Sequence, residues 1–193
     1  MDDRAPRHPI PALLVALLLA LPLVTDGAHA KDSAPAPARS GLALASAAAA
    51  AWSADAVLVY VENDEALSDA GASPRWSYLF YSAAQDRARV WSVRGDRIVV
   101  AENLDMRFDA PPVAAGWIDS GTAIAAAERG AGAEFRNTQH GAHLETMLLM
   151  RGAFSEGDPD ATTWTMVYRA PGVPSLFVVV SATDGKVQRT WRG

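Results

Sequence analysis

The segment Trp76-Ser77-Tyr78-Leu79-Phe80 recurs 88 positions later as Trp164-Thr165-Met166-Val167-Tyr168. Both copies contain an aromatic residue, a hydroxyl residue, two apolar residues and a second aromatic residue in the same order. The same offset places residues 56–61 against residues 144–149, and Val90-Trp91 against Val178-Val179. Three apolar segments in one register favour a chain that is built as a tandem repeat.

The pattern of each half predicts a helix followed by antiparallel strands. Residues 41–52 are rich in alanine, which favours a helix. In the second half, Asp119 or Ser120 is the expected cap of a helix that ends near residue 129. Runs of β-branched and aromatic residues between turn-forming residues predict strands at 56–61, 75–82, 87–93, 98–101, 143–151, 162–169, 176–182 and 187–191.

Two features of the second half depend on its alignment with the first. The period of residues 143–151 fits a helix or a strand, and the alignment favours a strand. About twelve extra residues lie near positions 131–142. Because one half alone would leave its sheet and helix poorly covered, the predicted fold class is α+β, with two tandem helix-plus-antiparallel-strand units packed as one domain.

The first 30 residues have the pattern of a secretory signal peptide. Arg4 and Arg7 precede an apolar run at residues 10–24, and Ala28-His29-Ala30 provides the small residues of a cleavage site. This apolar run has 15 residues, whereas a membrane span needs about 20. We therefore expect cleavage after Ala30 and no membrane span in the mature chain. Residues 31–40 are predicted to be an Ala/Pro-rich tether.

Composition argues against several classes of function. The chain has no cysteine, which excludes disulfides, thiolate metal sites and cysteine nucleophiles. Without the two Arg and three Asp of residues 1–30, the 17 Lys+Arg and 22 Asp+Glu become 15 and 19, a net charge of −4. The basic residues form no cluster, so nucleic acid is not an expected partner.

The end of the second half resembles a known family. Its sequence is Phe177-Val178-Val179-Val180-Ser181-Ala182-Thr183-Asp184-Gly185-Lys186-Val187. With the helix opening at Asp119-Ser120 and the strand around Trp164, this stretch resembles a PepSY domain, whose last strand commonly ends in Asp-Ala-x-Thr-Gly-Lys-Val. Ser181 stands where the family usually has Asp. The resemblance implies a first PepSY-like unit at residues 41–107, a connector at 108–118 and a second unit at 119–193.

Paired units of this kind are also similar in plan to exported β-lactamase inhibitor proteins. The resemblance implies an exported, non-catalytic binding or regulatory module that restrains a peptidase or binds another envelope protein. The expected partner is a protein, no cofactor is expected, and the expected location is the periplasm or the extracellular space. A structural envelope accessory protein is an alternative.

The enzymatic alternative depends on the two histidines of the mature chain. His140, His143 and Glu145 form the pattern His-x-x-His-x-Glu. Because imidazole and carboxylate groups bind zinc, a metal-assisted hydrolase using these three residues is conceivable. A polar loop beside Gly141 explains the same pattern without a metal. Asn63-Asp64-Glu65 lacks the alternating ligands of a calcium loop and is interpreted as a solvated turn.

The strand at residues 75–82 provides a candidate contact surface. Trp76, Tyr78 and Phe80 share one face and are expected in the core, while Leu79 and Tyr81 lie on the other face. The second copy has a more polar face at the corresponding positions. If their face is exposed, Leu79 and Tyr81 are the predicted contact residues for a protein partner. Core positions are also predicted for Trp52, Trp91 and Trp164.

Overall fold

The computed structural model describes residues 33–104, 110–153, 158 and 160–193. The predicted signal peptide lies outside these residues. Within them the chain forms α1 (Leu42–Trp52), β1 (Val57–Asn63), β2 (Arg75–Ser82), β3 (Arg87–Arg94), β4 (Arg97–Asn103), α2 (Ser120–Ala127), α3 (Ala131–Thr138), β5 (His143–Arg151), β6 (Thr162–Arg169), β7 (Leu176–Ser181) and β8 (Val187–Arg192). The predicted helices and strands are all present, and the choice of a strand for residues 143–151 is confirmed.

The strands form one antiparallel sheet in the order β4-β3-β2-β1-β5-β6-β7-β8. Strands of each half follow one another as a meander, and β1 pairs with β5 at the centre of the sheet. Helix α1 lies against β2, β3 and β4, while α2 and α3 lie against β6 and β7. The fold is therefore α+β, with more residues in the sheet than in the helices.

All three helices pack on one side of the sheet, here called the helix face. Trp76, Tyr78 and Phe80 from β2 meet Trp164 and its neighbours from β6 in a single apolar core beneath the helices. The rings of Trp76 and Trp164 lie 6.2 Å apart in an edge-to-face arrangement. Both halves thus contribute to the same core. The predicted core positions of the tryptophans are confirmed, with Trp52 half-buried against the others.

Strand pairing corrects the uniform register of the sequence alignment. Trp76 pairs with Val93, whereas Trp164 pairs with Val180, and 180 less 93 is an offset of 87. The predicted alignment of β3 with β7 at an offset of 88 is therefore wrong by one residue. Because neighbouring residues of a strand point to opposite faces, this slip exchanges the faces of every aligned side chain.

The segment before α1 corrects the predicted tether. Ala36 forms a bridge with Ser73, and its carbonyl accepts a hydrogen bond from Trp76 Nε1 at 2.8 Å. The carbonyl of Ala38 accepts a hydrogen bond from the Tyr78 hydroxyl at 2.7 Å, and Ala38 is fully buried. Residues 36–40 therefore belong to the packed domain, and the prediction of a tether is wrong for them.

Helix α3 was not predicted, although extra residues were expected near positions 131–142. Phe135 is its one large apolar side chain, and the Phe135 ring packs edge-on against Tyr168 with centroids 6.3 Å apart. The insertion therefore adds a helix over β6 and β7. Among the described residues, no helix combines the length and apolar character needed to cross a bilayer.

Candidate functional site

The candidate residues lie on the second face of the sheet, which is the side opposite the three helices. Strand pairing aligns a row of side chains across this face from β4 to β8. The row consists of Val100, Ser92, Ser77, Glu62, Leu148, Thr165, Val179 and Arg189. It is polar at its middle, in contrast to the apolar helix face. Half of its members carry a hydroxyl or a carboxylate, which is unusual for side chains at the centre of a sheet.

Glu62 occupies the middle of this row. The Tyr60 hydroxyl donates a hydrogen bond to Glu62 Oε2 at 2.8 Å, and no described Arg or Lys forms an ion pair with Glu62. Burial raises the pKa of Glu62 to about 7, the hydrogen bond from Tyr60 opposes the rise, and the charge of Asp64 adds to it. Glu62 therefore titrates near neutral pH, where most carboxyl groups are fully ionised.

A network of charged pairs adjoins Glu62 at the end of β1. Asp64 Oδ2 lies 3.2 Å from Arg75 Nε and accepts a hydrogen bond from Ser77 Oγ at 2.7 Å. Glu65 forms an ion pair with Arg94. These two carboxylates have cationic partners and differ in this respect from Glu62.

Asn63 corrects the interpretation of its segment as a solvated turn. Its Oδ1 accepts a hydrogen bond from the Met147 amide at 2.7 Å, and its Nδ2 donates to the Glu145 carbonyl at 3.2 Å. Asn63 thereby joins β1 to β5 beside the bulge between Leu144 and Thr146. The side chain is structural, and its role was not visible in the sequence because its partners lie 82 and 84 positions away.

The centre of the second face is closed. Thr165 is 1% exposed and Val179 is fully buried. Thr165 Oγ1 has no hydrogen-bond partner among the residues that the structure describes, and leaving a buried hydroxyl unpaired costs about 1–3 kcal/mol. Thr165 and Val179 are therefore inaccessible in this structure, whereas Glu62 beside them is half-buried.

One margin carries an aromatic–arginine cluster, which consists of Phe177, Arg189 and Trp191. Phe177 and Trp191 are cross-strand neighbours on β7 and β8, and their rings stack at 4.8 Å with an angle of 5° between the planes. The Arg189 guanidinium carbon lies 5.0 Å from the centroid of the Trp191 ring. Arg189 is exposed and the two aromatic side chains are half-buried. Trp and Arg are the residues that most often dominate the free energy of protein interfaces.

Sequence reasoning missed this cluster. Arg189 and Trp191 are two positions apart on a predicted strand, and this spacing places both on one face. That was the available signal. The stacking partner Phe177 could not be assigned from the sequence, because its pairing with Trp191 depends on the register between β7 and β8.

The predicted contact residues have different outcomes. Leu79 and Tyr81 share the second face, as expected. Leu79 is only 4% exposed, however, and packs with Val59 and Val90 in a small cluster on that face. Tyr81 is half-buried, and its hydroxyl donates a hydrogen bond to Asp86 at 2.7 Å. The prediction of Leu79 as an exposed contact is therefore wrong, because alternation identifies the face of a residue and not what covers it.

The predicted zinc ligands do not form a metal site. Glu145 forms an ion pair with Arg169 on the neighbouring strand. His143 is exposed, and its Nδ1 lies 3.2 Å from the carbonyl oxygen of Gly141. Within the part of the chain that the structure describes, no three His, Cys, Asp or Glu side chains are placed to hold a metal ion. The structure therefore does not bring His140, His143 and Glu145 together as a ligand set.

Comparisons with known proteins give one structural likeness. No family model matches this chain, and no curated protein matches it. The crystal structure of a protein described as a "putative lipoprotein" from Clostridium difficile 630 is similar, with a TM-score of 0.49 and 12% sequence identity over 75% of this chain and 87% of that chain.

Proposed function

We propose that this chain is an exported, non-catalytic binding module of two PepSY-like units that docks a protein partner, either restraining a peptidase or binding another envelope protein. The observation that carries the proposal is the aromatic–arginine cluster at the margin of the second face. A stacked pair of aromatic rings with an exposed arginine beside it is a rigid anchor, and such anchors contribute most of the binding free energy in protein interfaces.

A repeated contact supports the two units. Trp76 Nε1 donates to the carbonyl of Ala36, and Trp164 Nε1 donates to the carbonyl of Ile118, both at 2.8 Å. Ala36 precedes α1 and Ile118 precedes α2, so each tryptophan binds the segment that leads into the first helix of its own half. The mirrored strand order about β1 and β5 supports the same interpretation.

Site-specific photo-crosslinking in the producing cells tests the docking proposal. A photoreactive residue at Gln188, which is exposed on β8 beside the cluster, is expected to give one discrete heavier adduct that contains a second protein. Leu44 is the matched control, because it is exposed at 37% but lies on α1. The same reagent at Leu44 should give no such adduct.

The outcomes separate the candidates. Adducts from both positions in equal yield indicate non-specific contact and contradict docking at this margin, as does the absence of an adduct from Gln188. An adduct that contains only a second copy of this chain also contradicts the proposal. A peptidase in the adduct selects the restraint function, and another envelope protein selects the binding function.

A further inference from the structure

We propose that β8 accepts an extended, acidic segment of the partner as a ninth strand of the sheet. This inference deepens the proposed function, because it names the chemistry of the segment that would dock at the aromatic–arginine cluster. It follows from the outward hydrogen-bonding groups of β8, the difference between the two sheet edges, and the charge of β8.

The hydrogen bonds between β7 and β8 determine which backbone groups of β8 face outward. Ser175 and Gly193 exchange two hydrogen bonds, at 2.8 and 3.0 Å. In an antiparallel ladder such pairs alternate with pairs that make no mutual bond. With the observed register, Thr190 and Arg192 are the non-bonded positions. Their N–H and C=O groups therefore point away from β7, and an added strand would bind there.

The other edge of the sheet is partly blocked. The hydrogen bond from the Leu104 amide to the Ala88 carbonyl makes Ala101 and Asn103 the outward positions of β4. Arg89 donates from Nη2 to the Ala101 carbonyl at 3.1 Å and from Nη1 to Asn103 Oδ1 at 3.3 Å. A side chain thus already occupies the outward acceptor of β4. Among the described residues, no side chain forms a hydrogen bond with the outward backbone groups of Thr190 or Arg192.

The charge of β8 determines what kind of segment fits. Arg189 and Arg192 are exposed on this strand, and the strand has no acidic residue. Arg189 faces the second side of the sheet beside Trp191, while the Arg192 guanidinium lies 4.4 Å from the Phe135 ring on the helix side. An added strand would therefore place side chains next to an arginine on each face. A carboxylate opposite Arg189 would complement its positive charge, and an apolar side chain opposite Trp191 would pack against its ring.

Amide hydrogen exchange measured by NMR on the purified protein tests the inference. The probe is a soluble peptide of about seven residues with blocked ends, a length close to that of an ordinary strand. Glu and Val alternate at every second position of this peptide with Thr between them, so that one face of the added strand presents a Glu and a Val two positions apart. At saturating peptide, exchange at the amides of Thr190 and Arg192 is expected to slow by roughly tenfold or more, because these amides gain hydrogen bonds. The amides of Ala101 and Asn103 are the internal control and should not change.

A charge reversal tests the proposed chemistry. Arg189→Glu should weaken binding of the Glu/Val peptide roughly tenfold and strengthen binding of the same peptide with Lys in place of Glu. Thr190→Pro should weaken the Glu/Val peptide because it removes an outward N–H while it leaves the ladder to β7 intact. Ala101→Pro is the matched control on β4. If either proline variant fails to fold, the amide hydrogen exchange of Thr190 and Arg192 in the unmodified protein still shows whether the peptide adds to β8.

Three results would overturn strand addition: no protection at Thr190 and Arg192, equal protection on β4, or a preference for the Lys peptide. The two proposals can fail separately. A partner adduct from Gln188 without peptide protection supports docking by side chains alone, whereas peptide protection without any cellular adduct retains the acceptor edge and removes the proposed partner.

Discussion

Replacement of Glu62 by Gln should change the pH dependence of stability. In the folded chain the pKa of Glu62 is raised from 4.5 to about 7, chiefly by burial. The folded state therefore keeps a proton that the unfolded state releases between these two values. The stability that this proton confers is present below pH 4.5, is lost as the pH rises towards 7, and is absent above it.

The size of the effect follows from the two pKa values. A rise from 4.5 to about 7 corresponds to roughly 3 kcal/mol as an upper limit, since one pKa unit is worth about 1.4 kcal/mol. Because the side chain is half-buried, we expect about 1–3 kcal/mol. Glutamine is uncharged and keeps an acceptor for the Tyr60 hydroxyl. The variant should match the original protein at about pH 4.5 and exceed it in stability at about pH 8.5.

Urea unfolding followed by tryptophan fluorescence measures this difference at the two pH values. The matched control is Glu102→Gln, which removes an exposed carboxyl on β4 and should behave alike at both. A Glu62→Gln variant that gains no stability at high pH, or that is less stable there, would show that Glu62 is ionised at little cost. That result would refute the raised pKa of Glu62 and the role of burial in raising it.

Two further predictions concern the shared core. Trp164→Ala should destabilise the protein by roughly 3–5 kcal/mol in urea unfolding, because Trp164 is fully buried and contacts both Trp76 and Trp117; a loss below about 1 kcal/mol would contradict its central position. A chain that ends at residue 104 should be largely unfolded by circular dichroism and NMR, because it loses β5 and half of the core. A well-dispersed spectrum from that half would contradict the shared core.

Local patterns predicted the elements well because their signals lie within a few residues. The strands β2, β5 and β6 have the predicted bounds, since each is a run of aromatic and apolar residues that ends at turn-forming residues. Helix α3 lacks such a pattern. Its single large apolar residue, Phe135, is explained only by its contact with Tyr168, which is far away in the sequence.

The candidate site was less predictable for the same reason. Alternation correctly placed Leu79 and Tyr81 on one face, but the burial of Leu79 depends on Val59 and Val90 from other strands. Glu62 gave no sequence signal, since its raised pKa results from burial within a row assembled from eight strands. A sequence therefore indicates which face a residue occupies, whereas accessibility depends on long-range packing.

The segment before α1 shows how strongly the two halves depend on each other. The Ala38 amide donates to Ser120 Oγ at 3.0 Å, and the Arg39 amide donates to Asp119 Oδ1 at 3.1 Å. The same Oδ1 accepts a hydrogen bond from the Ser120 amide at the start of α2. One carboxylate therefore caps the second helix of the chain and holds the segment that leads into the first. Arg39 also stacks on Trp117, at 4.7 Å from its ring centroid. The segment before α1 in the first half therefore binds the segment before α2 in the second half, beside the shared core.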